Sequence, residues 1–128
     1  MRLTHVALWT TRLEELRAFY TTYFGGTSGE KYTNPAKGFE SYFIRFGTTG
    51  VALEIMRSQS VTEPAERLCT RWCHVAFDAQ TRRGVEELTE RLRADGYRIL
   101  SEPRQTGDGF YESVAADPDG NPVEIVAE

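Results

Sequence analysis

From Leu3 to Thr10 apolar and polar side chains alternate, with Leu3, His5, Ala7 and Trp9 on one face and Thr4, Val6 and Leu8 on the other. This is the period of a strand. The period then lengthens. Leu13, Leu16, Phe19, Tyr20 and Tyr23 recur at helical steps and predict a one-faced amphipathic helix. Thr11 is placed to cap it, with Glu14 in the capping-box position, and Gly25-Gly26 ends it. A short strand around Glu30 to Thr33 comes next, then turn chemistry at Asn34-Pro35-Ala36-Lys37-Gly38. An aromatic and β-branched strand runs from Glu40 to Phe46, and a further strand from Val51 to Arg57.

The same order returns. Arg71 to Asp78 reads as a strand, and Thr81 to Asp95 as a helix with Val85, Leu88 and Leu92 on one face and Gly96 as its stop. Tyr97 to Leu100 is a short strand, Pro103 to Gly109 a loop and Phe110 to Ala116 a strand. Asp117-Pro118-Asp119-Gly120-Asn121 is a strong hairpin turn, and Pro122 to Ala127 closes the chain as a strand. The prediction is therefore an α+β fold: one domain over residues 1–128, made of two β-α-β-β-β modules (1–57 and 71–128) joined by a linker at 58–70. The modules are expected to form a curved mixed sheet with the helices on its outer face.

Composition changes this picture little. The 128 residues are 40% hydrophobic and 27% charged, ordinary for a globular chain. A net charge of −4, with arginines scattered rather than gathered in a stripe, argues against nucleic acid or an anionic membrane as a partner. No apolar run reaches the length of a membrane span. The first residues go straight into the strand pattern, which is read as no signal peptide and a cytoplasmic location. Cys69 and Cys73 have three residues between them and no second pair, so they are read as reduced thiols without a functional role.

The chemistry lies in the repeat itself. The chain has two histidines, and both open the same tripeptide, His5-Val6-Ala7 and His74-Val75-Ala76. Each is followed by a strand with a central glutamate, Glu54 and Glu124; the histidines lie 69 residues apart and the glutamates 70. Alternation puts all four side chains on the face opposite their strand's aliphatic set, where a curved sheet would make them converge. Two imidazoles and two carboxylates suit one divalent ion (Ni, Zn, Co, Fe or Mn) and leave positions for water or substrate. Each His or Glu taken singly has an ordinary strand role; the repetition is what points to metal.

Four segments together resemble the vicinal oxygen chelate superfamily of glyoxalase I, fosfomycin and bleomycin resistance proteins and extradiol dioxygenases. They are Thr4-His5-Val6-Ala7-Leu8, the aromatic end of the first helix to Phe24-Gly25, Trp72-Cys73-His74-Val75-Ala76-Phe77, and Asp117 to Ile125. The resemblance covers nearly the whole chain. It implies paired β-α-β-β-β modules around a divalent-metal cleft, a homodimer, and a small-molecule substrate with a low-molecular-weight thiol as companion. By resemblance, His5, Glu54, His74 and Glu124 match all four metal positions of glyoxalase I, whereas resistance enzymes and dioxygenases typically lack the first acid. That points to a lyase of the glyoxalase I type acting on a small carbonyl compound or its hemithioacetal, with Glu124 as catalytic base and Glu54 as its counterpart. The alternatives are a thiol transferase or dioxygenase on the same scaffold, or a ligand-sequestering protein, whose known examples generally lack the metal residues. Trp9 stands where glutathione-dependent bacterial members have arginine, and Ser58 where they have asparagine, so the resemblance does not extend to glutathione. Trp9 and Tyr111 are substrate-binding candidates, and Phe110 and Glu112 are further residues that parity leaves undecided.

Overall fold

The computed structural model describes residues 3–48, 50–62, 73–107 and 109–128. It divides into two compact units, residues 1–66 and 67–128. The α+β reading holds, with one mixed sheet and one long helix in each unit.

In the first unit β1 (His5–Trp9) leads into α1 (Leu13–Tyr23), followed by β2 (Thr27–Ser28), β3 (Tyr32–Asn34), a single 3-10 turn (Pro35–Lys37), β4 (Phe39–Arg45) and β5 (Ala52–Ser58). β1 and β5 run parallel; β4 is antiparallel to β5 and to the short β2 and β3, giving the order β1-β5-β4-β2 with β3 also on β4. The sequence pattern predicts one short strand here, and the chain forms two. Leu13, Leu16, Phe19 and Tyr20 of α1 are buried together with Tyr42, Ile44, Leu53 and Ile55 of the sheet, as the periodicities predict.

The helix start differs from the sequence reading. Thr11 does not cap α1: the N-cap is Arg12, and no side chain bonds there. Thr10 turns the chain instead, its Oγ1 accepting the Arg12 N–H at 2.8 Å, and the cap falls one residue later than Thr11. Glu14 is drawn away from the helix end by the Lys31 ammonium, 2.9 Å off, and by the Tyr42 hydroxyl at 3.1 Å. Gly25, at φ +65°, closes the helix in a conformation that costs glycine little.

The second unit holds β6 (Val75–Asp78), α2 (Arg82–Ala94), β7 (Ile99–Gln105), β8 (Tyr111–Ala116) and β9 (Pro122–Ala127), in the sheet order β6-β9-β8-β7 with β6 and β9 parallel. Thr81 caps α2 by accepting the Gly84 N–H at 3.0 Å. Arg71, Trp72 and residues 63–70 of the expected linker lie outside the described residues, as does Cys69; Cys73 is an exposed thiol.

One boundary moves for a clear reason. Pro103, expected in a loop, lies within β7. β7 is the outermost strand of its sheet, and its register against β8 shifts between Ser101 and Arg104. An edge strand with a bulge is where a residue without an N–H is tolerated.

A buried polar pair joins α2 to its sheet. The Thr89 hydroxyl donates to the Val85 carbonyl at 2.6 Å, so the Ser113 hydroxyl, 2.7 Å away, is the donor in the bond between them. Both side chains are fully buried. Thr89→Val is expected to strand the Ser113 hydroxyl and cost about 1–3 kcal/mol. Urea denaturation checks this; Thr89→Val together with Ser113→Ala should recover part of the loss. No helix among the described residues is long and apolar enough to cross a membrane.

Candidate metal centre

The repeated tripeptide acquires a geometric meaning in the sheets. In the parallel pairing of β1 with β5, Ala7 lies opposite Glu54, and in that of β6 with β9, Ala76 lies opposite Glu124. The histidine two residues earlier points to the same face. The small alanine leaves room for the imidazole to reach diagonally to the carboxylate. His5 Nε2 lies 3.8 Å from Glu54 Oε2, and His74 Nε2 lies 3.3 Å from Glu124 Oε2. The exposures match as well: 42% and 43% for the imidazoles, 15% and 16% for the carboxylates. The two units thus present the same His–Glu pair, built by the same register, on the sheet face away from the helix.

Each pair fits a divalent ion. Donors held about 2.0–2.2 Å from a metal stand roughly 3–3.5 Å apart, and these nitrogen–oxygen separations are close to that. In the first unit Thr4 Oγ1 is 3.1 Å from His5 Nδ1. With Nε2 as ligand, Nδ1 carries the hydrogen and donates it to the hydroxyl, an orienting contact typical of metal-site histidines. Within neither unit, among the described residues, do three or more His, Cys, Asp or Glu side chains gather into a metal-holding group. Each unit holds one His–Glu pair.

The surroundings of the two carboxylates differ. Glu54 lies opposite Phe43 of β4, whose ring meets His5 edge-on at 5.3 Å. Glu124 lies opposite Val114 of β8, and Glu112 stands two residues away on the same face, where its carboxyl favours the protonated form of Glu124. Arg104 of β7, paired with Glu112 in the sheet, donates from Nη1 to Glu112 Oε1 at 2.9 Å. The position equivalent to Glu112 in the first unit is Ser41. Glu112 is therefore the polar neighbour that parity left undecided. The Asp117–Asn121 turn carries the signal that would have found it. That turn places Ala116 opposite Pro122, which puts Glu112 opposite Val126 and on the face of Glu124. Tyr111 points the other way, its hydroxyl donating to Glu86 of α2 at 2.9 Å and its ring under the Arg82 guanidinium. Trp9 lies on the His5 face of β1, half exposed, edge-on to Phe39 at 6.1 Å. Ser58 ends β5 on the same face, opposite Phe39.

Burial pushes the Glu124 carboxyl above its ordinary range; His74 and Arg104 work against this and Glu112 with it. The native protein without metal thus keeps this proton to higher pH than the unfolded chain. The group favours folding below its unfolded value, and that contribution is lost as pH rises through the native one. Metal-free protein is expected to lose urea resistance with rising pH across the window just above normal carboxylate titration, and Glu124→Gln to flatten that part of the curve. Parallel profiles would show that Glu124 is not the group responsible.

Two mixed sheets, each flanked by one helix and each presenting a His–Glu pair from equivalent strands, define a duplicated scaffold with a candidate metal-binding pair in each half. Residues 2–125 match the profile of the Glyoxalase/Bleomycin resistance protein/Dioxygenase superfamily, and the chain belongs to that family. Among curated proteins it is 30% identical over 127 residues to the uncharacterized protein YqjT of Bacillus subtilis (strain 168), covering 96% of each chain. Among solved structures it is similar to the trypanothione-dependent glyoxalase I of Leishmania major, with a TM-score of 0.81, 24% identity, and coverage of 100% of this chain and 87% of that one. A glyoxalase I mutant from Zea mays gives a TM-score of 0.83 at 25% identity, over 99% of this chain but 44% of the maize chain. These likenesses bear out the fold and the superfamily.

Proposed function

We propose that the protein is a divalent-metal-dependent lyase or isomerase of the glyoxalase I type, cytoplasmic and homodimeric, acting on a small carbonyl compound or its hemithioacetal with a low-molecular-weight thiol. The observation that carries this is the pair of equivalently built His–Glu sites. In this reading His5, Glu54, His74 and Glu124 would be the ligands of a divalent ion. When bound, the ion polarises adjacent oxygens of the substrate and stabilises the charge that develops on proton loss.

The chain's own residues do the rest. The imidazoles, held by strand register and, at His5, by Thr4, fix the donor geometry. Glu124 takes the proton from the carbon beside the carbonyl and returns it to the neighbouring carbon, with Glu54 as its counterpart. Glu112, tied down by Arg104, limits where the Glu124 carboxylate swings. Such a positioned base is what proton transfer between adjacent carbons requires. The first ligand set, with an acid at Glu54, supports the glyoxalase branch over three-ligand members of the family.

The test is direct. Protein purified without chelator should hold about one divalent ion per site. Chelation should abolish turnover of methylglyoxal with glutathione or another small thiol, and one of Ni²⁺, Zn²⁺, Co²⁺, Fe²⁺ or Mn²⁺ should restore it. Protein that stays metal-free on titration with all five would sink the reading.

A further inference from the structure

The face that presents His5 and Glu54 also carries an aromatic cluster that the metal chemistry does not use. Going across the sheet one pair beyond Ala7 and Glu54, Trp9 lies opposite Met56, Met56 opposite Ser41, and Ser41 opposite Tyr32. One further pair along, Phe39 lies opposite Ser58. The Trp9 and Tyr32 rings both pack against Phe39, with centroids 6.1 and 6.0 Å away. Yet Trp9 is 49% and Tyr32 56% exposed, and they are two of the four large apolar side chains left exposed among the described residues. Between them the floor is Met56 and the buried Ser41, with no charged side chain among these paired positions.

Two half-exposed rings packed on a third offer a flat ligand a contiguous aromatic surface to stack on. The spacing sets its reach. Met56 is two residues from Glu54 on one strand, which is about 7 Å along the same face. A substrate whose oxygens sit at the His5–Glu54 pair reaches that row with a substituent about one phenyl ring long.

We propose that Trp9, Tyr32 and Phe39 form a specificity surface for an aromatic substituent on the carbonyl substrate, so that aryl α-oxoaldehydes and their adducts are preferred over methyl ones. The proposal rests on the metal-site reading above and assigns the substrate class to it. An uncharged aromatic surface beside the metal pair offers nothing to a substrate whose reach along this face is anionic.

The test uses two bidentate oxygen chelators that differ only in this substituent, acetohydroxamate and benzohydroxamate, titrated calorimetrically into metal-loaded full-length protein. Wild type is expected to bind the phenyl compound about tenfold or more tightly than the methyl one, the scale of one good aromatic contact. Trp9→Ala should bring the ratio close to one while leaving acetohydroxamate within about twofold, and Tyr32→Ala, at the more exposed position, should lower the ratio independently. Equal binding of both chelators by wild type, or a ratio untouched by either substitution, overturns the specificity surface and leaves the metal site standing. If neither chelator binds wild type, the metal-site reading fails and the specificity surface falls with it.

Discussion

Glu124→Gln is expected to lower kcat for the hemithioacetal by about 10²–10⁴-fold, the range a positioned general base supplies. The amide keeps the size and one oxygen of the side chain but cannot take a proton. Glu54→Gln serves as the comparison. If Glu124 is the base, the Glu54 variant should retain the greater kcat, and metal content in both should be measured so that a lost ion is not mistaken for lost chemistry. Equal kcat in wild type and Glu124→Gln, with the ion retained, would move the base elsewhere. Glu112→Ala adds a second reading of the same site. Removing the neighbour that holds the carboxylate should lower kcat more than it changes KM, because it loosens Glu124 and not the substrate oxygens.

The largest effect on stability is expected at Phe19. This ring is fully buried on the inner face of α1 and packs against Tyr20 and Phe24 at centroid distances of 5.2 and 5.4 Å. Phe19→Ala removes the ring's burial and leaves a cavity that neighbouring aromatics cannot close, for about 3–5 kcal/mol. Against a total of roughly 5–15 kcal/mol for a folded protein, that is a large fraction. Denaturant midpoints would measure it. Thr22→Ala, on the exposed side of the same helix, should fall within about 0.5 kcal/mol of wild type.

The four candidate ligand positions are legible because they depend only on counting. A side chain's face within one strand follows from parity, and His5, Glu54, His74 and Glu124 each stand out against an aliphatic set on the other face. Glu112 is not legible in that way. Its position beside Glu124 is a fact about two strands, and it needs the register that the Asp117–Asn121 turn imposes. The start of α1 departs from its local sequence signal for a related reason. Thr10 and Thr11 are both competent to turn the chain, and the choice fell to Thr10, which also donates its backbone N–H to the Met56 carbonyl across the sheet at 2.8 Å. Local propensity does not see that strand. The second helix, whose Thr81 faces no such rival, starts where its sequence says.

Pro103 has a consequence beyond the placement of a strand. β7 ends its sheet, and an open sheet end is the place where a neighbouring molecule's strand adds on and starts a polymer. At residue 103 the backbone has no hydrogen to offer an incoming strand. The register shifts on either side of Ser101 bend the ribbon away from the flat geometry that stacking needs, and Glu102 and Arg104 set charge on both sides of the proline. In a crowded cell, this margin of the protein resists fibril growth by its covalent structure and not by being covered.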